Sequence, residues 1–470
     1  MMRWMTMLAT LALSVAAVHA EVGDLTAVAC NPNSGVEGGA LLDCQDAAFV
    51  KPKADSGTTS PTASIAMAKY KATVVAVAVD SKDPAGKQPD CVRLDFTGKG
   101  KFTDEQALPL KVIPPTKDTD KNFRATFGPS EMKIITRDGR TIPAMIAGEY
   151  QKRAEGQWLG LKIGTALEGP CQFGEKTYTV RIIDGNGNQL CGDPMRATLE
   201  NGKLVVKPKD EPNVVPVSNG TITGDSVLVD VTGRQFRGRY AEQLFGQPVW
   251  VDGHWYDVTV SADRTKVAAK PLAMETGRLK SGHPGWSMRV ISDKYCMVIV
   301  GIDEPDGAPV PAGRYAMMGF HEYIRGDQPG QRGTVITRNR DVTDGKPKMV
   351  EVLAGKTTEA PLGTPLTGEV LVTQEGRKAT LKLRLTDVGG GNVDIMRVGS
   401  TDGFPTPPQV EILDAKGAIV HTAKLTAATG LDYTATWALP ENLAGEFSAV
   451  LKANADPCTV TAKKTTFTLK

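Results

Sequence analysis

Residues 248–260 read Pro-Val-Trp-Val-Asp-Gly-His-Trp-Tyr-Asp-Val-Thr-Val. Asp-Gly between two alternating segments favours a two-residue type I′ turn, so these residues predict a β-hairpin in which Trp250 lies opposite Trp255. Successive strand residues point to opposite faces of a sheet. One face of the hairpin therefore carries five apolar side chains, and the other carries Trp250, Trp255, Asp257 and Thr259.

Two pairs of segments match in the same order along the chain: 90–99 with 225–234, and 170–182 with 248–260. Repetition in order favours an internal duplication, in which the second β-domain partly repeats the first. In the first copy the positions of Trp250 and Trp255 are occupied by Gln172 and Thr177. The tryptophan face is therefore polar in that copy.

The whole chain shows the signs of β-structure. Short alternating segments recur between turns, and the 470 residues include 49 Gly and 30 Pro, a composition typical of short strands with many turns. We predict an all-β fold of several consecutive β-sandwich or barrel-like domains. The predicted units are a signal peptide at 1–20, a Cys-containing segment and linker at 21–65, and domains at 66–210, 211–300, 301–362 and 363–470.

The first twenty residues predict export. Arg3 precedes an apolar run that ends in small residues at Val18 and Ala20, the pattern of a secretory signal cleaved after Ala20. The run is too short to span a bilayer, so we expect no transmembrane segment in the mature chain. The predicted location is the periplasm, the cell surface or the medium.

Seven cysteines follow the predicted signal: Cys30, Cys44, Cys91, Cys171, Cys191, Cys296 and Cys458. Disulfides persist outside the cytoplasm, and a bridge between Cys30 and Cys44 is the one we predict, because it would tie down a Gly-rich segment. The matching copies carry Ser226 and Val249 in place of Cys91 and Cys171. These two cysteines are therefore predicted to be buried thiols.

The segment after residue 183 offers a candidate calcium loop. Oxygen-bearing side chains stand at alternate positions, as in the first half of an EF-hand loop, and the predicted ligands are Asp184, Asn186, Asn188, the carbonyl of Leu190 and Asp193. The glycine and the final glutamate of an EF-hand are missing, so an Asn/Gly turn without a cation is the alternative. The shorter loops that begin at Asp95 and Asp230 look like ordinary turns.

Residues 363–470 contain six short alternating strands and resemble an immunoglobulin-like sandwich. Together with the degenerate D-x-N-x-N loop, this makes the chain similar to secreted bacterial multidomain β-proteins. The resemblance implies a fold class and an exported location. It implies no activity.

The predicted function is binding without catalysis. The net charge of +2 gives no attraction to nucleic acid, and no familiar catalytic motif is present. We predict a non-enzymatic exported protein for surface assembly, adhesion or macromolecular binding, with a protein or polysaccharide partner at the cell surface. The alternative is a carbohydrate-binding or carbohydrate-active protein whose stacking surface is Trp250 and Trp255, with Asp257 beside them. A structural role for the two tryptophans is the alternative to both binding functions: the pair would stabilise the hairpin and be covered by a neighbouring domain.

Overall fold

The structure is a computed structural model, and it confirms the predicted all-β fold. It describes residues 22–469 except 31–39, 45–48, 52–54, 59–62, 71–72, 84, 86–87, 98, 115–121, 137–138, 155, 186–189, 195–196, 207–223, 237–240, 283–284, 302–303, 326–331, 339–348, 400, 428–430 and 442. Within these residues the helical structure is one 3-10 turn at Asp104–Gln106, and no helix there has the length and apolarity to cross a membrane. The predicted signal peptide lies outside the described residues.

The first unit is a ring of eight strands around an apolar core. Strands β4 to β10 pair antiparallel in chain order, while β3 pairs with the other edge of β10 and contacts β4. The inward side chains include Phe127, Ile146 and Leu161. Up to residue 173 the described residues form the strands β1 Gly23–Asp24, β2 Thr26–Ala29, β3 Ala40–Cys44, β4 Ser64–Tyr70, β5 Thr73–Asp80, β6 Cys91–Asp95, β7 Ala107–Val112, β8 Phe123–Ile135, β9 Thr141–Arg153 and β10 Gly156–Phe173.

The 18-residue strand β10 belongs to two units. Its first part, up to Gly164, pairs with β9, and its second part, from Ala166, pairs with the next strand of the chain. The strands that follow are β11 Lys176–Ile183, β12 Ala197–Glu200, β13 Lys203–Val206, β14 Ser226–Asp230, β15 Ala241–Leu244, β16 Val249–Val251, β17 His254–Val260 and β18 Lys266–Leu272.

The second unit has two sheets, the five-stranded β2-β10-β11-β14-β15 and the four-stranded β1-β18-β17-β16, over one apolar core. Strand β11 pairs with β14 across the predicted domain boundary at residue 210. Residues on both sides of that boundary therefore belong to one sheet.

The hairpin at 248–260 forms in the predicted register. Trp250 pairs with Trp255, and φ is 49° at Asp252 and 85° at Gly253, the positive values that a type I′ turn requires. The matching hairpin β10–β11 packs its apolar face against this one, with the rings of Phe173 and Tyr256 edge to face at 5.0 Å between centroids. The two matching hairpins thus supply opposite layers of one core.

The third unit packs two sheets around a core that contains both Ile299 and Val310. The predicted boundary at residue 300 runs between these two residues, inside the unit. Its strands are β19 Thr276–Lys280, β20 Trp286–Ile291, β21 Cys296–Val300, β22 Ala308–Pro311, β23 Gly313–Arg325, β24 Arg332–Arg338, β25 Met349–Val352 and β26 Thr357–Glu359.

The C-terminal unit is a sandwich of two sheets, and its strands are β27 Leu366–Glu375, β28 Lys378–Thr386, β29 Asn392–Val398, β30 Thr401–Asp402, β31 Gln409–Leu413, β32 Ile419–Lys424, β33 Thr426–Ala427, β34 Tyr433–Ala438, β35 Gly445–Lys452, β36 Val460–Lys463 and β37 Thr465–Leu469. The sheet β34-β28-β27-β36 faces the sheet β32-β31-β35-β37 across one apolar core. Strand β24 of the third unit pairs with β29, so strand hydrogen bonds also connect these two units.

Candidate functional site

The paired tryptophans of the β16–β17 hairpin do not form an exposed surface. Trp255 is 3% exposed and lies in the core of the third unit, where its indole N–H donates to the Thr276 hydroxyl at 2.9 Å. Trp250 is partly buried against the same core, and the two ring centroids are 5.0 Å apart. The prediction of an exposed stacking surface is therefore wrong. The third unit covers this face, as the structural alternative predicted, and Asp257 is partly buried on the same hairpin.

At the start of the candidate calcium loop, Asp184 lies buried near a second buried carboxylate, that of Asp225. Asp225 accepts the backbone N–H groups of Gly192 at 2.7 Å and Asp193 at 2.9 Å. Burial, followed by the charge of Asp184, raises the pKa of Asp225 well above its usual value. Two carboxylates in this position favour either a retained proton or a cation between them.

The other predicted ligands are only partly described. Asn186 and Asn188 lie outside the described residues, and Leu190 is partly buried. Asp193 forms an ion pair with Arg264 at 3.1 Å. The Arg264 guanidinium therefore already pairs with one of the carboxylates that were predicted to bind calcium. No group of three or more His, Cys, Asp or Glu in the described part of the chain is arranged to hold a metal, and calcium binding stays a prediction.

The two matching loops at Asp95 and Asp230 cap their own backbones. Asp95 accepts the N–H groups of Thr97 and Gly100, both at 2.8 Å. Asp230 likewise accepts those of Thr232 and Phe236, both at 3.2 Å. Burial alone would raise the pKa of Asp230, but these hydrogen bonds outweigh it and lower the pKa. Both loops have the internal hydrogen bonding of ordinary turns.

The predicted bridge between Cys30 and Cys44 is wrong. Cys44 pairs with Leu159 on β10, whereas the Cys30 amide donates to the Gly164 carbonyl. Five residues of strand separate these points by about 16 Å, and a disulfide requires Cα atoms about 4.4–6.8 Å apart. Strand β10 lies between the two cysteines, and the residues around them carry no sign of it.

Cys91 and Cys171 are buried thiols, as predicted. Burial raises the pKa of each to about 12. Neither thiol is therefore a ready nucleophile at neutral pH.

A tryptophan that the sequence analysis missed lies on the outer face of the first unit. On β10 the side chain of Leu159 points into the core, so Trp158 and Gly160 point outward. A Cβ atom placed on Gly160 would lie 2.8 and 2.9 Å from two atoms of the Trp158 ring. The six-membered ring of the indole therefore packs over Gly160. It remains partly exposed.

Planar polar groups follow the neighbouring strands beside this ring. The register places Trp158 opposite Gln151 and Gly160 opposite Glu149. Glu149 accepts hydrogen bonds from Gln151 at 2.8 Å and from Arg124 at 3.0 Å, and Gln151 accepts one from Arg153 at 2.9 Å. We call the surface formed by the following residues the Trp158 face: Arg124, Glu149, Gln151, Arg153, Trp158 and Gly160.

The charges on the Trp158 face are partly neutralised from within. Burial alone would raise the pKa of Glu149, but the hydrogen bonds from Arg124 and Gln151 outweigh burial and lower it. The carboxylate is thus held ionised and oriented. A signal for this surface was present in the sequence, because the Trp-x-Gly spacing of residues 158–160 puts a large ring and an empty position on one side of a strand.

The chain matches no protein-family model, and no curated protein is significantly similar to it in sequence.

Proposed function

We propose that this chain is an exported, non-enzymatic β-protein that binds a macromolecule at the cell surface and holds its binding surface in a fixed orientation. The predicted signal peptide at residues 1–20 supports the location. The near-neutral charge supports a partner other than nucleic acid.

The observation that carries the proposal is how neighbouring units are joined. Strand β10 runs through the first two units, Trp255 of the second is buried in the core of the third, and β24 of the third pairs with β29 of the fourth. Relative rotation of such units would break strand hydrogen bonds or expose apolar surface, whereas units on flexible linkers move freely. A rigid series of sheets suits adhesion or surface assembly.

A fractionation experiment tests the location and the binding together. The full chain with a C-terminal tag is produced in a bacterial host, and the N-terminus of the exported protein is determined by mass spectrometry. We expect it to begin at Glu21, and we expect the purified mature protein to sediment with isolated cell envelopes. A variant lacking residues 2–20 is the control and stays in the cytoplasm. Full-length chain left unprocessed in the cytoplasm, or a mature protein that no envelope preparation retains, contradicts the proposal.

A further inference from the structure

We propose that the Trp158 face binds an acidic polysaccharide, with one sugar ring stacked on the indole of Trp158. This inference rests on the proposed function and names the class of macromolecule that the protein binds.

The shape of the surface fits a sugar ring. A pyranose has an apolar face of C–H groups, and such a face packs well on a flat aromatic ring. Because Gly160 has no Cβ, the indole can lie close against the backbone of β10.

The groups beside the ring fit the edge of a sugar. Hydroxyl groups both donate and accept hydrogen bonds, and guanidinium, amide and carboxylate groups together supply several donors and acceptors in planar arrangements. On the Trp158 face these groups already form a chain of hydrogen bonds from Arg153 through Gln151 to Glu149 and Arg124. Because they are held in place before binding, less conformational entropy is lost when a ligand arrives.

Charge indicates an acidic polymer. Arg124 and Arg153 lie on the Trp158 face, and Lys162 follows Gly160 on the same outer side of β10. Two acidic residues share this side: Glu149, which pairs with Arg124, and Asp43 on β3, which lies opposite Gly160, so the three basic residues outnumber the acidic ones by one. Guanidinium groups bind carboxylates well, with two N–H donors per carboxylate. A single indole among polar groups also offers less apolar area than the core of a typical protein–protein contact, which favours a glycan over a protein.

The test uses the purified mature protein in affinity electrophoresis with two soluble polymers, polygalacturonate as the acidic glycan and dextran as the neutral one. We expect retardation by polygalacturonate, little by dextran, and a retardation that weakens as salt is added. Trp158→Ala should reduce the affinity roughly tenfold, while Trp158→Phe should retain most of it. Tyr323→Ala is the matched control, because Tyr323 is an exposed aromatic residue on another unit.

Several outcomes overturn the inference. Equal retardation by dextran removes the acidic class, and a folded Trp158→Ala variant that binds like the unchanged protein removes the Trp158 face. Melting temperatures of all variants show whether each is folded, and Arg124→Gln, which keeps the indole, gives a second variant whose binding should become less sensitive to salt. If Trp158→Ala still sediments with cell envelopes, the proposed function stands and this inference fails. If neither protein sediments, the proposed function itself fails.

Discussion

The first two units share strand β10, and each carries tryptophan on the outward side of a hairpin, but their surroundings differ. In the second unit Trp255 is buried by the third unit, whereas Trp158 on the first unit packs over Gly160 and stays partly exposed. Alternation assigned the outward side correctly in the hairpin at 248–260. It could not tell whether that side meets water or another unit, because the covering residues lie elsewhere in the chain.

Removing each ring in turn tests whether the two tryptophans contribute differently to the stability of the fold. Trp255→Ala should lower the free energy of unfolding by about 3–5 kcal/mol, because it leaves a cavity in a core and removes the partner of Thr276. Trp158→Ala should change it by less than about 1 kcal/mol. Urea unfolding of the two variants measures the difference. Similar losses in both would show that the two rings are equally important for packing.

Calcium tests whether the buried carboxylates of the second unit form a cation site. If Ca²⁺ binds at Asp184, a hundredfold excess over the dissociation constant should stabilise the fold by about 2.7 kcal/mol. Asp184→Ala should abolish the resulting rise in melting temperature, while Asp95→Ala in the first unit should leave it. An unchanged melting temperature of the parent protein at millimolar Ca²⁺ would end the calcium prediction.

The matching loops of the two units should respond alike. Asp230→Ala and Asp95→Ala each leave several backbone N–H groups without their acceptor, at an expected cost of about 1–3 kcal/mol. Asn at either position keeps one acceptor and should cost less. Urea unfolding provides the measurement, and a large loss at only one of the two loops would mean that their shared sequence does not serve a shared purpose.

Asp225 gives the second unit a pH dependence of its own. The pKa of Asp225 is raised in the folded state, so the folded protein holds a proton that the unfolded chain releases. The resulting stabilisation of the fold is complete below the unfolded pKa, near 3.8, and is lost as the pH rises through the folded pKa. Melting temperatures from about pH 4 to about pH 8 should show this decline. Asp225→Asn should flatten it, since the amide mimics the protonated acid, and Asp263→Asn, at an exposed site, should not. A decline that survives Asp225→Asn must have another source.

The smallest expected effect comes from Gly160, the residue on which the Trp158 ring packs. Gly160→Ala places a methyl group where the indole lies, so the ring must tilt away from the sheet. Retardation by polygalacturonate should fall although the tryptophan is still present, with little change in melting temperature. Gly319→Ala is the matched strand control, because its nearest neighbour would be an ordinary 3.7 Å away. Unchanged retardation in Gly160→Ala would mean that packing of the indole on Gly160 is not required for binding.

The confirmed predictions concern features that depend on residues close together in the chain. The β16–β17 turn followed from Asp252-Gly253, because a type I′ turn needs residues that tolerate positive φ. The inward faces of both matching hairpins followed from alternation. Burial of the Cys171 thiol followed from the apolar Val249 at the matching position of the second copy. The first two inferences used residues only a few positions apart, and the third compared the two copies.

Prediction failed where distant segments meet. Strand β10 pairs with β9 in its first part and with β11 in its second, and the sequence has no mark at the change. The predicted boundary at 210 falls between β11 and β14, which pair in one sheet, and the boundary at 300 falls between Ile299 and Val310, which share one core. The bridge from Cys30 to Cys44 failed for the same reason, since both approach β10 at separate points.

The sequence by itself determined that this chain is built of strands, where its hairpin turns lie and which side chains share a face, because turns and alternation depend on neighbouring residues. Only the tertiary structure decided which outward faces are covered, which carboxylates meet and which polar groups gather beside Trp158. Those outcomes depend on contacts between residues far apart in the chain, such as Trp255 with Thr276, Asp184 with Asp225, and Arg124 with Glu149. Local preferences carry no information about such contacts.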